Sequence, residues 1–326
     1  MIEANSSESN IFKEWIEAMK VAVLGELNVD MILTGSDIMP EMNREKLLDG
    51  MELVLGSSSA ITACALASLG AEVEFVSLVG EDDYGRFCLA ELQRMGVSTR
   101  FVTVDARLRT GITLSFSAGG DRSLLTYPGT ISLLAPEHIP EALLYEADHV
   151  HFGSYFLQTR MREEWVSLFA KVQSLGKTTS FDTGWDVSDE WRHEGIDRLL
   201  PVTDLFIPSE EELMHLYRAE ALDDAWTALP SDALAGTVAV KCGSQGAALF
   251  KRNQPLIKVP AYSVDVKDTT GAGDCFNAGL IYGYGTGLRA EELLRFACAC
   301  GALSVQAIGG TGSLPTVAGA ERLMQR

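Results

Sequence analysis

Short apolar runs alternate with stretches of helical spacing along most of this chain. VAVLG at 21–25 is apolar and ends in glycine, the pattern of a strand buried on both faces. SSSAITACALASLG at 57–70 is alanine-rich and closes on Gly70, which predicts a helix with a glycine stop. EVEFVSLVG at 72–80 predicts a returning strand. Cys88, Leu92 and Met95 then stand at helical spacing within 84–95, ahead of Gly96. The same order predicts strands near 148–152, 178–182, 204–207 and 237–242, with helices over 161–175 and 209–217. Such alternation predicts an α/β fold, a mostly parallel sheet with helices on both faces.

Two stretches break the rhythm. Residues 31–53 and 101–128 hold short strand-like pieces, TGITLSFS and RSLLTYP among them, punctuated by Gly, Pro and Asp. They read either as surface excursions or as a small antiparallel sheet forming a lid over a ligand, and the pattern does not choose. Arg109 and Arg122 fall inside the second stretch. Exposed arginines are most often merely solvated, and reaching a substrate is the sharper alternative.

At 326 residues the chain has the length of two ordinary domains or one large α/β domain, and 47% hydrophobic residues suffice for a large core. Lys and Arg number 26 against 45 Asp and Glu, a net charge of −19. That argues against nucleic acid or an anionic membrane as partner, since phosphate recognition there needs clustered basic side chains. A nucleotide stays open, because backbone amides and a metal ion can hold it. No apolar run approaches the roughly 20 residues of a membrane span. Residues 1–19 read as an N-terminal extension without signal-peptide character, with IFKEWIEAM as a short amphipathic helix. Six cysteines, several in apolar stretches (Cys64, Cys242, Cys275), predict buried thiols in a reducing cytoplasm. Cys298-x-Cys300 and His149-x-His151 lack partners at the spacing a structural zinc needs.

The strongest local signal is VKDTTGAGDCFNAGL at 266–280. Gly271, Ala272 and Gly273 lead from a polar turn into a helix whose apolar positions begin at Phe276. Small residues let a ligand approach the backbone, and the first amides of a helix have no internal partner. Together with the helix dipole they suit a phosphoryl group. Asp274 stands in that first turn. An acid there stabilises a helix by about 0.3–1 kcal/mol in any case. Beside an anion site, however, it would repel a phosphate unless it had another task, such as taking a proton from an attacking hydroxyl.

DTTGAGDCFNAG closely resembles the C-terminal signature of the ribokinase-like carbohydrate kinases, the PfkB family. Other segments agree in order: LGELNVD (24–30), GSSSAITACALASLGAEVEFVSLVGEDDYG (56–85), TGIT (110–113), FDTGWD (181–186) and VKCGSQGA (240–247). The resemblance covers about residues 20–318. It implies a Rossmann-like three-layer α/β/α domain over 20–326 with a small β-sheet lid built from the two excursions. It implies ATP-dependent transfer of the γ-phosphoryl group to a hydroxyl, usually primary, of a small carbohydrate. Asp274 would be general base, and the amides of Gly271, Ala272, Gly273 and Asp274 would stabilise the phosphoryl in flight. The sugar would meet Asn28, Asp30, Gly56 and Ser57. The nucleotide would meet Ser209, Glu212, Lys241, Gly243 and Gly246. Mg²⁺ would screen the phosphates, with Glu212 reaching it through water, and Asp268 matches a position near a bound monovalent cation such as K⁺. A homodimer through the lid is a family habit that no segment here demonstrates.

The match has departures. Ile61 stands where the signature has a sugar-binding Asn, which suggests a less polar substrate. Ser209-x-x-Glu212 replaces Asn-x-x-Glu, and before Leu213, Leu216 and Tyr217 it also reads as a capping box. Asp30 at a strand end reads as a ligand group or as a turn-forming residue; Asn28 reads equally as a turn residue. Gly243 and Gly246 suit a hairpin turn as well as nucleotide contact. The GSSSAI region lacks the Lys of several phosphosugar kinases, which favours a neutral sugar. A nucleoside is the alternative, with Phe116 and Tyr127 in the lid to face a base, and a sugar acid is open if an arginine enters the site. A non-catalytic metabolite sensor is a further reading, against which the intact GAGD argues. A nicotinamide dehydrogenase is not supported, since 25–30 reads Gly-Glu-Leu-Asn-Val-Asp rather than Gly-x-Gly-x-x-Gly. Gly176-Lys177-Thr178 mimics the end of a P-loop but precedes a strand, so it reads as a turn.

Overall fold

The computed structural model describes residues 18–118 and 121–325, and the amphipathic helix expected within 1–19 lies almost wholly outside them. Its strands are β1 (Lys20–Leu24), β2 (Asn28–Thr34), β3 (Gly50–Leu55), β4 (Glu72–Gly80), β5 (Ser98–Asp105), β6 (Gly111–Ala118) and β7 (Asp121–Tyr127). They continue with β8 (His149–Phe152), β9 (Thr178–Phe181), β10 (Leu205–Phe206), β11 (Thr237–Lys241), β12 (Ala247–Lys251) and β13 (Ile257–Val259).

Among the described residues the main sheet runs β13-β12-β11-β10-β9-β8-β1-β4-β5. From β11 to β5 every pairing is parallel; β12 and β13 add an antiparallel edge. The short apolar run at 21–24 is explained by alternation across this sheet. Val21 and Val23 enter the core on one face, while Ala22 and Leu24 enter the core on the other. Helices Ser58–Leu69, Ala272–Gly285 and Ala290–Ser304 cover the first face, and Trp165–Ser174 and Glu210–Tyr217 cover the second. The result is the three-layer α/β/α arrangement.

Helix Ser58–Leu69 begins where the serine run begins. Ser57 Oγ accepts the amide of Ala60, and Gly70 ends the helix in the left-handed region at φ 102°. Helix Asp83–Arg94 is capped by Asp82 and stopped near Gly96, as its spacing predicts. The helix expected over 161–175 starts only at Trp165, because 155–164 is taken up by turns. Gly176 sits in the turn before β9 at φ 75°, with no helix opening after it.

The second sheet, β3-β2-β6-β7, differs from the expected antiparallel one in a specific way. β2 pairs with β6 in parallel; only the flanking pairs are antiparallel. Residues 101–105 do not join it. They belong to β5, which extends the main sheet parallel to β4, so the second excursion enters the small sheet only at Gly111. A second correction concerns Asn28 and Asp30: the first core strand ends at Leu24, and both residues lie on β2 of the small sheet.

Of the crossings between the small sheet and the core, two lie side by side, Gly25–Leu27 into β2 and Gly56–Ser57 out of β3. Both are held by the carboxylate of Glu26, which is only 3% exposed. It accepts hydrogen bonds from Ser59 N (3.2 Å), Ser59 Oγ (2.8 Å), Ser154 Oγ (3.1 Å) and Gln158 Nε2 (3.0 Å). The Ser57 hydroxyl gives its proton to the Glu26 carbonyl oxygen at 2.5 Å, with Glu26 Oε1 3.2 Å away. These bonds hold Ser57 at φ 75° and Ser154 at φ 55°, in the region that ordinarily favours glycine. Replacing Glu26 with Ala leaves the donors of Ser59, Ser154 and Gln158 without their acceptor. Urea denaturation is expected to register a loss of about 3 kcal/mol; a change below about 1 kcal/mol would contradict this account of the crossings.

Candidate active site

Gly271 caps the helix Ala272–Gly285 in the left-handed region at φ 79°, and a Cβ there would lie 2.6 Å from the Cα of Gly310. Only glycine fits that turn. At Gly273 a Cβ would instead meet the Lys241 side chain at 3.6–3.7 Å. The ammonium of Lys241 therefore stands beside the opening turn of the helix. Two positive sources at one point favour an anion between them.

Asp274 lies in this turn, half-buried, among other acids. Ser58 Oγ donates to its Oδ1 at 2.5 Å. Asp182, 3% exposed at the end of β9, accepts from Asn277 Nδ2 at 2.6 Å and from the Ser154 amide at 2.7 Å. Asn277 Oδ1 in turn accepts from Lys241 Nζ at 3.3 Å. The Asp274 carboxyl is pushed up from 3.8 to about 7, chiefly by desolvation, and further by the nearby charges of Asp182 and Glu26. The Ser58 hydrogen bond and the Lys241 charge oppose that rise. A carboxylate with this proton affinity can accept a proton from an alcohol and release it near neutral pH.

The lid approaches the same turn. Asn28 Nδ2 donates to Asp30 Oδ1 at 3.1 Å and lies 3.5 Å from Thr113 Oγ1 on β6. A Cβ on Gly56 would fall 2.1 Å from Asp30 Oδ1 and 2.8 Å from Asn28 Nδ2, so glycine is what lets the Asp30–Asn28 pair close on the backbone. Gly56 touches Asp30 and Ser58 touches Asp274. With only Ser57 between those two residues, the lid carboxylate and the core carboxylate flank one short turn.

Other predicted positions have structural work of their own. Ser209 and Glu212 form the capping box: Ser209 Oγ accepts the Glu212 amide, and Glu212 Oε2 accepts the Ser209 amide at 2.7 Å and Thr183 Oγ1 at 2.9 Å. Ser57 caps its helix and bonds Glu26. Gly246 makes the turn between β11 and β12, where a Cβ would lie 2.0 Å from the Val259 carbonyl oxygen; Gly243 has open space around it. Asp268 accepts from Thr270 and from the Gly309 amide at 2.8 Å, tying the 268–271 turn to the 309–310 loop. Among the described residues, no group of three His, Cys, Asp or Glu is placed to hold a metal ion.

Three expectations need correction. Ile61 is buried in the core and packs against Gly310, so its apolar side chain fills the base of the glycine turn and carries no argument about substrate polarity. Phe116 lies three residues beyond Thr113, on the opposite face of β6, and packs with Leu33 and Ile38 away from Asp30. Tyr127 pairs with Ile112 on that same face. Arg109 is exposed near Asp82. The side chain of Arg122 lies outside the described residues. Sequence reasoning also passed over Glu26, Ser58, Asp182 and Asn277, although each sits inside a segment quoted above. The signal was polar residues within otherwise apolar strand ends and helix starts.

A lid over a parallel sheet, with an acid in a glycine-led helix turn, places this protein among small-molecule kinases that act on sugars. Residues 18–317 match the pfkB family carbohydrate kinases, and the chain belongs to that family. It is 31% identical over 300 residues to an ATP-dependent ribose-1-phosphate kinase of Halopiger xanaduensis, covering 91% of this chain and 95% of that one. It is 32% identical over 313 residues to the aminoimidazole riboside kinase of Salmonella typhimurium, covering 91% and 92%. A putative ribokinase II of E. coli, in complex with ATP and Mg²⁺, superposes with a TM-score of 0.81 at 26% identity, covering 94% and 99%.

Because its carboxyl is raised from 3.8 to about 7, Asp274 lowers stability as pH rises through that window, where the folded protein holds the proton more tightly than the unfolded chain. Asp274→Asn removes the charge. Its melting temperature is expected to exceed that of the wild type by more at pH 8 than at pH 4; an equal difference at both would refute the raised proton affinity.

Proposed function

We propose that this protein transfers the γ-phosphoryl group of ATP to a hydroxyl, primary by preference, of a small uncharged sugar or riboside. The observation that carries the reading is Asp274, a carboxyl with proton affinity near neutrality in the first turn of a glycine-led helix, two contacts away from the lid pair Asn28–Asp30. In this reading Asp274 takes the proton of the attacking hydroxyl as the O–P bond forms and ADP departs. The amides of Gly271–Asp274 receive the charge of the moving phosphoryl. Lys241 and the turn at Gly243 and Gly246 contact the nucleotide. Mg²⁺, when bound to the nucleotide, screens the phosphates. A metal that keeps most of its water suits a site offering Glu212, whose Oε1 is left over from the capping box.

Acceptor class follows from charge. Asn28 and Asp30 lie against Gly56, with Thr113 3.5 Å from Asn28, and an acid at this point suits a neutral acceptor better than a phosphorylated one. Two relatives above act on ribosyl compounds by name, which supports a ribosyl unit and keeps a nucleoside-like acceptor as the second reading. Assay of ATP consumption over ribose, fructose, aminoimidazole riboside, nucleosides and ribose 1-phosphate tests this. Turnover on ribose 1-phosphate alone would overturn the uncharged acceptor, and binding without any turnover would leave a metabolite sensor.

Asp274→Asn is expected to lower kcat by roughly 10²–10⁴ with ATP affinity nearly unchanged, and a variant keeping most of its rate would remove Asp274 as base. Asp30→Ala should raise the sugar KM far more than the ATP KM; equal effects would mean Asp30 does not touch the acceptor. A lid-to-lid homodimer belongs to the same proposal. Met51, Leu125 and Tyr127 share one face of the small sheet and are exposed. Sedimentation at the monomer mass would dismiss it.

A further inference from the structure

Three serines in a row open the helix Ser58–Leu69, and each hydroxyl has a different role. Ser57 caps the helix and donates to the Glu26 carbonyl. Ser59 is fully buried and donates to the Glu26 carboxylate at 2.8 Å. Neither the helix nor the crossings need the hydroxyl of Ser58. It points the other way, across the floor of the site, and donates to Asp274 Oδ1 at 2.5 Å, with Asp182 Oδ2 at 3.4 Å behind it. One turn further along, on the same face, Thr62 Oγ1 donates to the Asp274 carbonyl oxygen at 3.3 Å. The helix thus grips Asp274 at its side chain and at its backbone.

We infer that Ser58 is the positioning residue of the base: its one proton holds Oδ1 of Asp274 and leaves Oδ2 to take the proton of the acceptor hydroxyl. The inference rests on the kinase reading above. A hydroxyl has a single proton to donate, and here it stands between two carboxylates. The distances assign it to Asp274, since 3.4 Å is long for a bond to a charged oxygen. The groups facing Asp274 are Asp182 from β9, Glu26 from the β1–β2 crossing, Lys241 from β11 and, beside it on its own helix, Cys275, whose thiol burial keeps neutral. Of these only Lys241 favours the ionised base. Removing Ser58 therefore sets Asp274 directly against Asp182 with no proton between them, and the ionised form becomes harder to reach.

The test compares Ser58→Ala and Ser58→Thr with the wild type in two measurements. The first is the pH profile of kcat/KM for the best acceptor of the panel. The acid limb of Ser58→Ala should move up by about one pH unit, a fall of about five-fold at pH 7 that is largely recovered at pH 9. Ser58→Thr, which keeps the hydroxyl, should restore the wild-type limb. The second is the carbon NMR titration of the Asp274 carboxyl in the free protein, which needs no turnover and should move by the same amount. A rate loss equal at every pH, or an unmoved carboxyl titration, would overturn the positioning role. Should Ser58→Ala fail to fold, Ser58→Gly carries the same comparison. If the wild type phosphorylates nothing, the kinase reading fails while the titration still decides whether Ser58 holds Asp274.

Discussion

One buried carboxylate holds two of the crossings that tie the lid of this protein to its core. Glu26 sits between the last residue of a core strand and the first residue of a lid strand, out of contact with water. A bare carboxylate in such a place would cost several kcal/mol. Four donors offset that cost, each a hydrogen bond to a charged acceptor worth about 1.5–3 kcal/mol. Three of those donors come from Ser59 and Ser154, and the Ser57 hydroxyl bonds the Glu26 carbonyl oxygen beside them. Ser57 and Ser154 occupy backbone conformations that a side chain ordinarily avoids, so the interaction and the backbone geometry of the crossings depend on each other.

From those crossings the site follows. With Ser57 and Ser59 directed at Glu26, Ser58 is turned toward Asp274, and Gly56 is turned toward Asp30. One tetrapeptide thereby sets the spacing between the acid of the lid and the acid of the core. The latter is poorly solvated and has Asp182 and Glu26 nearby, with Lys241 and the helix amides as the positive counterweight. An arrangement of this kind is not optimal for stability. It holds a carboxylate at a proton affinity useful for chemistry at the expense of some folding free energy, as sites of reaction commonly do.

Parallel-sheet strands were legible because burial on both faces leaves nearly continuous apolar runs, as at 21–24 and 72–80. Helix limits were legible where a glycine stop or a capping box marks them, at Gly70, Gly96 and Ser209. The glycine turn at 271–273 was legible for a steric reason: a left-handed cap against Gly310 admits no Cβ. The turn at 161–164 was not legible, since its apolar residue Met161 is buried just as that of a helix would be. Nor could spacing assign 101–105 to the main sheet, because strand membership depends on which neighbour supplies the hydrogen bonds.

What the chain by itself determined is therefore local: the β-then-α order, the caps, the glycine-led turn and the acid within it, each set by side-chain period or by backbone sterics over a few residues. Only the tertiary structure decided which groups meet. It put Asn28 and Asp30 on the lid rather than on the core strand, turned Phe116 away from them, and drove Ile61 under the glycine loop. It also brought Ser58 to Asp274 across 216 residues of sequence. Those meetings depend on the order in which strands pair, and above all on β1 lying between β4 and β8. No periodicity along the chain records that order, because it is set by contacts that exist only once the sheet has formed.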